Sequence, residues 1–134
     1  MWNDIDVDFF IHTDMDIKEL TALIEKHTAM KFDEDLEAES FPLFLRLKEN
    51  RHFDKSKVEC FHEGFLYFKY RLNVECDHEE IKGSYINFLS GLLFFLWEHG
   101  MRVIASCDFE DSLPYGGGYQ SWINHAPKMY IQAS

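Results

Sequence analysis

The stretch HEEIKGSYINFLSGLLFFLWEHG, residues 78–100, limits the possible fold more than any other part of the chain. Its apolar residues recur at the spacing of one helical face, and Gly100 stands where a helix commonly ends. The main apolar stripe consists of Ile81, Tyr85, Phe88, Leu89, Leu92, Leu93 and Leu96. Phe94, Phe95 and Trp97 widen this stripe, so the pattern predicts the central helix of a core. The uninterrupted apolar run is shorter than the ~20 residues that a membrane-spanning helix needs.

An alternating pattern at the start of the chain predicts a half-buried strand. In DIDVDFFIHT, residues 4–13, acidic and apolar side chains take turns, and the acidic ones are Asp4, Asp6 and Asp8. The three aspartates would share one face, and we expect that face to be exposed because neighbouring like charges cannot all be buried. A helix capped by Asp14 or Asp16 is predicted to follow.

The remaining segments complete an α+β pattern. KFDEDLEAES, residues 31–40, is typical of an acidic loop, and residues 41–50 predict a strand with Pro42 near its start. Residues 58–76 predict a long strand or a bent strand pair, with a bulge or turn at Gly64. In its second part, alternate apolar residues are predicted to share one face: Leu66, Phe68, Tyr70, Leu72 and Val74. MRVIASCDF, residues 101–109, predicts a short buried strand.

The predicted order is strand, helix, strand, strand, helix, strand. This is the order of the split βαβ, or ferredoxin-like, fold, an antiparallel sheet with two helices on one face. We therefore predict an α+β domain of about four to five strands spanning residues 1–134, in which the tail, residues 119–134, would add an edge strand. Such a fold implies no function by itself.

The net charge of −11 limits the classes of partner. Residues 1–40 contain 12 of the 24 acidic side chains but only three lysines and no arginine, so the acidity is regional. Nucleic acids and anionic membranes would be repelled, whereas a basic protein would be attracted. The alternative is that the acidity serves solubility alone.

Cysteine usage and the N-terminus both predict a cytoplasmic protein. The three cysteines, Cys60, Cys76 and Cys107, are odd in number and lack a CxxC spacing, which is typical of a reducing compartment. MWNDIDVDFF has acidic residues where a signal peptide has basic ones.

The segment CDFEDSLPYGGGY, residues 107–119, is the main candidate for a functional site. It lacks the spacing of a calcium loop, and the histidines and cysteines have no zinc-site spacing, so no metal is expected. No Lys-Ser/Thr follows the glycines, so we expect neither a phosphate cradle nor any other cofactor site. Two carboxylates among Asp108, Glu110 and Asp111 could act as acid and base if one were buried, or all three could simply face water in a loop.

The composition of the same segment also suits recognition of another protein. Tyr115, Tyr119 and Trp122 could supply buried anchors, and the carboxylates could pair with arginine or lysine on a basic partner. Together with Asp4, Asp6 and Asp8 they could form one negative surface.

LLFFLWEHGMRVIASCDFEDSLPYGGG, residues 92–118, resembles the C-terminal half of small bacterial immunity proteins. These are the cytoplasmic antidotes of contact-dependent growth inhibition and other polymorphic toxin systems. The resemblance implies a non-enzymatic inhibitor that occludes a cognate toxin domain, often a nuclease with a basic active site. It also implies that Asp108, Glu110 and Asp111 contact the toxin.

Our leading hypothesis is thus an acidic immunity protein without catalytic residues. The first alternative is a small hydrolase or lyase that uses the loop carboxylates, and the second is a ligand-binding regulatory domain of the same fold. A homodimer is a further option, since Phe94, Phe95 and Trp97 could cover a dimer interface as well as fill a core.

Overall fold

The computed structural model describes residues 6–59, 64–77 and 82–119. Within these ranges the strands are β1 (Val7–His12), β2 (Glu37–Ser40), β3 (Leu43–Glu49), β4 (Tyr70–Cys76) and β5 (Arg102–Ser106), and the helices are α1 (Ile17–Thr28) and α2 (Lys82–Glu98). The strands form one antiparallel sheet in the order β2-β3-β4-β1-β5. The predicted α+β class is confirmed.

The topology is that of the predicted split βαβ fold with one strand added. α1 connects β1 to the β2–β3 hairpin, α2 connects β4 to β5, and β1 lies between β4 and β5 in the sheet. β2 extends the sheet beyond β3 as an edge strand. The predicted tail strand lies outside the described residues, apart from Tyr119.

Alternation along the strands places the main core on one face of the sheet. Val7, Phe9 and Ile11 of β1 are fully buried in a single cluster with residues of both helices. Leu20 of α1 and Leu89 of α2 are among the helix residues in this cluster. Both helices therefore pack on the same face, as predicted, and we call the opposite side of the sheet the open face.

Local signals in the sequence mark the start of α1 and the end of α2. Asp16 caps α1, because its carboxylate accepts a hydrogen bond from the amide of Glu19 at 2.8 Å and the Glu19 carboxylate accepts one from the amide of Asp16 at 3.1 Å. α2 ends at Glu98, and Gly100 adopts a left-handed conformation with φ of 82°.

The acidic segment 31–40 was predicted as a loop, but its second half is strand β2. Ala38 is the buried side chain of this strand, whereas Glu37, Glu39 and Ser40 are exposed. With so little apolar pattern, the strand arises from backbone pairing with β3 rather than from its own composition. Pro42 lies in the hairpin turn directly before β3.

Residues 58–76 were predicted to form a long strand or a bent strand pair with a bulge or turn at Gly64, and the described part contains the strand Tyr70–Cys76. The turn at Gly64 is confirmed, since Gly64–Tyr67 form a 3-10 turn instead of a strand, and residues 60–63 lie outside the described residues. The turn breaks the alternation, so Leu66 is exposed and Phe68 packs on the open face instead of beside Tyr70.

A smaller cluster covers one part of the open face. Its buried members are Phe10, Val58, Phe68 and Ile104, with Phe65, Tyr67 and Tyr119 partly buried around them. The connection between β3 and β4 supplies most of these side chains. The rest of the open face is lined mainly by polar and charged residues, with Phe44 of β3 as an apolar exception.

Candidate functional site

The acidic loop after β5 divides its carboxylates between two roles. Asp108 and Asp111 are exposed, whereas Glu110 is half-buried. The amide of Cys107 donates to Oε2 of Glu110 at 3.2 Å, and the Phe109 ring lies 6.1 Å from that of Tyr85. Glu110 and Phe109 therefore hold the loop against the domain, and two carboxylates remain at the surface.

The glycines that follow let the chain pass closely along the outer edge of β5, and we call residues 113–119 the strap. A Cβ on Gly117 would lie 2.6 Å from the carbonyl oxygen of Ala105, and one on Gly118 would lie 2.6 Å from that of Val103. Only glycine allows this approach, and both glycines have positive φ. The glycine run thus has a structural reason: it covers an edge strand.

Two exposed aromatic rings flank a buried tryptophan where the strap meets α2. Trp97 is buried, and its indole N–H donates to the carbonyl oxygen of Val103 at 3.0 Å. The rings of Phe94 and Tyr115 contact Trp97 edge-on at centroid distances of 5.6 and 6.2 Å. Phe94 is 44% exposed and Tyr115 is 50% exposed. We call these two residues the aromatic patch.

The structure separates the predicted aromatic anchors. Tyr115 lies beside Trp97 on the helical side of the sheet, whereas Tyr119 belongs to the cluster on the open face, with its ring 6.1 Å from Phe65. The strap therefore crosses the β5 edge from one side to the other. Trp122 lies outside the described residues.

The N-terminal aspartates lie at the same end of the sheet as the acidic loop. β1 and β5 are antiparallel with Asp8 opposite Ser106, so β1 begins where β5 ends. Asp8 is half-buried and paired: Arg71 donates to it at 2.9 Å and Asn73 at 3.1 Å. Asp4 lies outside the described residues.

Asp6 has an environment that opposes its charge. It is exposed at the surface, yet partial burial of its carboxyl raises its pKa, and the carboxylates of Glu75 and Asp8 raise it further. Glu75 and Asp8 each flank it on the open face. This end of the sheet therefore carries a concentration of negative charge.

Charge on the open face changes sign along the strands. The acidic end carries Asp6, Glu75 and, on the edge strand, Glu39. At the other end Lys48 and Arg71 stand opposite each other in the β3–β4 register. We call these the acidic end and the basic end of the open face.

The cysteine beside the acidic loop is not activated as a nucleophile. Burial raises the pKa of the Cys107 thiol to about 11, and the carboxylates of Glu110 and Asp108 contribute to that rise. The thiol is therefore protonated at neutral pH, whereas a reactive cysteine needs a lowered pKa. Among the described residues, no group of three or more His, Cys, Asp or Glu side chains is placed to hold a metal ion.

Sequence reasoning left Phe94 open between the core stripe and a dimer interface, because in a helix that is apolar on nearly all sides the periodicity does not identify the exposed residue. It missed the basic end, although Lys69 and Arg71 alternate with the apolar residues of β4 and so carried a signal for it.

No protein-family model, no curated protein and no solved structure matches this chain. Neither of the two described α-helices is long and apolar enough to cross a membrane.

Proposed function

We propose that this chain is an immunity protein that binds and neutralises a basic toxin domain in the bacterial cytoplasm. The aromatic patch is the observation that carries the proposal. Phe94 and Tyr115 are each about half exposed, and both rings pack edge-on against the buried ring of Trp97. Large aromatic side chains in such positions are typical of the residues that dominate binding energy at protein interfaces.

The carboxylates around the aromatic patch favour a basic partner. Glu98 is exposed one helical turn after Phe94 and so shares its side of α2. Asp108 and Asp111 are exposed in the loop that leads into the strap. With a net charge of −11, the whole molecule would attract a cationic surface and increase its association rate.

Three of the other predicted contact residues have internal roles that support the surface. Glu110 holds the acidic loop, Asp8 is paired with Arg71, and Tyr119 packs on the open face. We therefore expect Phe94, Tyr115, Asp108 and Asp111 to contribute most of the binding energy. A ligand-binding role has separate support from the basic end of the open face.

The test is binding to the toxin domain encoded beside the gene for this chain, together with rescue of growth when both are expressed. We expect Phe94→Ala and Tyr115→Ala each to weaken the complex by about 2 kcal/mol, close to thirtyfold, mainly through faster dissociation. The double variant Asp108→Asn/Asp111→Asn should slow association and flatten its dependence on salt.

Matched controls separate the proposed surface from general effects. Phe53→Ala removes a ring that is 40% exposed in the β3–β4 connection, outside the aromatic patch, and should leave affinity unchanged. Glu34→Gln/Asp35→Asn makes the same charge change in the exposed α1–β2 connection. Absence of a complex with the neighbouring toxin domain would contradict the proposed function, and equal effects of variants and controls would contradict the proposed surface.

A further inference from the structure

We infer that the basic end of the open face is a binding site for a small oxyanion, a phosphate or carboxylate group. A pocket of about 250 Å³ lies there, and its lining residues are Lys48, Glu49, Asn50, Arg51, His52 and Arg71. Three of these side chains are basic and one is acidic, in a molecule whose net charge is −11. This inference does not depend on the proposed function.

Two cationic residues stand opposite each other on neighbouring strands. Lys48 of β3 and Arg71 of β4 are direct partners in the antiparallel register. Like charges directly opposite each other on one face of a sheet destabilise it. Asp8 already offsets part of this repulsion by pairing with Arg71, and a bound anion would reduce the remainder, so the arrangement favours binding.

The guanidinium of Arg71 is positioned before any ligand arrives. It donates from Nη2 to Asp8 at 2.9 Å, and its Cζ lies 5.0 Å from the centroid of the Phe10 ring. Its Nε is buried and has no hydrogen-bond partner among the described residues. Asp8 therefore offsets part of the charge of Arg71 and fixes its orientation, and the buried Nε makes no competing contact.

The turn that carries Arg51 and His52 is equally well fixed. Asn50 is only 4% exposed, and its amide group donates to the carbonyl oxygens of Leu66 and Phe68 at 2.9 and 2.8 Å. The Asn50 side-chain oxygen accepts from the amide of His52 at 3.1 Å. A rigid rim reduces the entropy that binding would otherwise cost.

The size and chemistry of the pocket define the ligand class. Arginine and lysine donors surround oxyanions well, and arginine matches phosphate and carboxylate geometry with paired N–H groups. A long polyanion such as nucleic acid would meet the acidic remainder of the surface, so the ligand must be small. The Glu49 carboxylate on the rim opposes any anion and limits the affinity.

The experiment is a titration of the whole chain with inorganic phosphate, followed residue by residue through amide NMR shifts. Sodium chloride at equal ionic strength is the reference. We expect saturable shifts at residues 48–52 and 71 with phosphate and none with chloride. A parallel titration with acetate shows which oxyanion the site prefers, and saturation by either one supports the site.

Three variants make the result decisive. Lys48→Ala/Arg51→Ala should weaken binding at least about tenfold, because charge-assisted hydrogen bonds are lost. Glu49→Gln should tighten binding several-fold, an effect that a merely structural change would not produce. The double variant Lys18→Ala/Lys26→Ala removes the same charge from exposed positions on α1 and should leave binding unchanged.

Circular dichroism establishes that each variant is folded, and Lys48→Gln/Arg51→Gln replaces the alanine pair if that variant unfolds. Shifts that do not saturate, that occur equally with chloride, or that are the same in all variants would overturn the inference.

Discussion

At the scale of the residue, Asn50 shows how one side chain can fix a connection between two strands. It is the buried polar residue of the described core, and its amide group satisfies two carbonyl oxygens of the β3–β4 connection, those of Leu66 and Phe68. The backbone N–H of Asn50 donates to the carbonyl oxygen of Lys69 at 2.8 Å. A connection that sequence patterns predicted poorly is therefore ordered by polar contacts over long sequence separation.

We expect Asn50→Ala to lower the free energy of unfolding by about 2–3 kcal/mol, because two carbonyl groups lose their donor and the amide of His52 loses its acceptor. Urea denaturation followed by circular dichroism measures the change. Asn73→Ala is the matched control, since Asn73 is half-buried and makes one hydrogen bond to Asp8, and we expect a loss of about 1 kcal/mol. Equal losses in the two variants would contradict the role assigned to Asn50.

At the scale of the element, prediction from sequence succeeded where the pattern was local. The cap of α1, predicted at Asp14 or Asp16 and found at Asp16, the alternation in β1 and the glycine after α2 each involve neighbouring residues, and each feature is present in the structure. β2 was missed because its pairing partner, β3, supplies what its own composition lacks. The course of the strap could not be predicted either, because glycines that touch β5 look the same in sequence as glycines in a free loop.

The strap gives a prediction about glycine that contrasts two positions. In Gly118→Ala the added Cβ would lie 2.6 Å from the oxygen of Val103 and 2.8 Å from Cζ2 of Trp97, at a φ of 95°. We expect a loss of about 2 kcal/mol or more, because both the close contact and the backbone conformation become unfavourable. Thermal unfolding of the variant measures it.

Gly83 in α2 provides the opposite case. A Cβ there would meet nothing within 4 Å, so Gly83→Ala should stabilise the helix by about 0.5–1 kcal/mol. If Gly118→Ala were as stable as the wild type, the close packing of the strap onto β5 would be wrong.

At the scale of the whole molecule, the strand pairing of the sheet places acidic side chains at one end of the open face and basic side chains at the other. The acidic excess over residues 1–40 is visible in the sequence. The pairing of Asp8 with Arg71 is not, because 63 positions separate them and only the β1–β4 register brings them together. The pairing of Lys48 with Arg71 is likewise not visible in the sequence, because it follows from the β3–β4 register. Composition therefore indicates a type of partner, but the fold determines which surface is free to meet it.

The two ends of the open face also hold titratable groups that respond to acid in opposite ways. Burial lowers the pKa of His12 from 6.5, and the nearby Arg102 lowers it further, whereas Asp14 and Glu59 partly offset the effect. Since the folded state binds this proton less readily than the unfolded state, the contribution of His12 to stability is full above pH 6.5 and is lost as the pH falls through its lowered pKa.

Asp6 has the reverse sign. Its pKa is raised from 3.8 by partial burial and by Glu75 and Asp8, so its ionised form destabilises the folded state at neutral pH. That penalty decreases as the pH falls through the raised pKa and is gone below 3.8. The two groups therefore change the pH dependence of stability in opposite directions.

We expect Asp6→Asn to raise the thermal midpoint at neutral pH, with the gain disappearing as the pH falls towards 3.8, because the neutral side chain no longer repels Glu75 and Asp8. The wild type should lose stability as the pH falls below 6.5, because His12 takes up a proton that the folded state disfavours. Glutamine cannot take up this proton, so His12→Gln should lose less stability over the same range. Thermal unfolding measured at a series of pH values distinguishes the two slopes. An Asp6→Asn gain that persisted unchanged in acid, or a His12→Gln profile parallel to that of the wild type, would show that these side chains do not titrate in the environments that the open face provides.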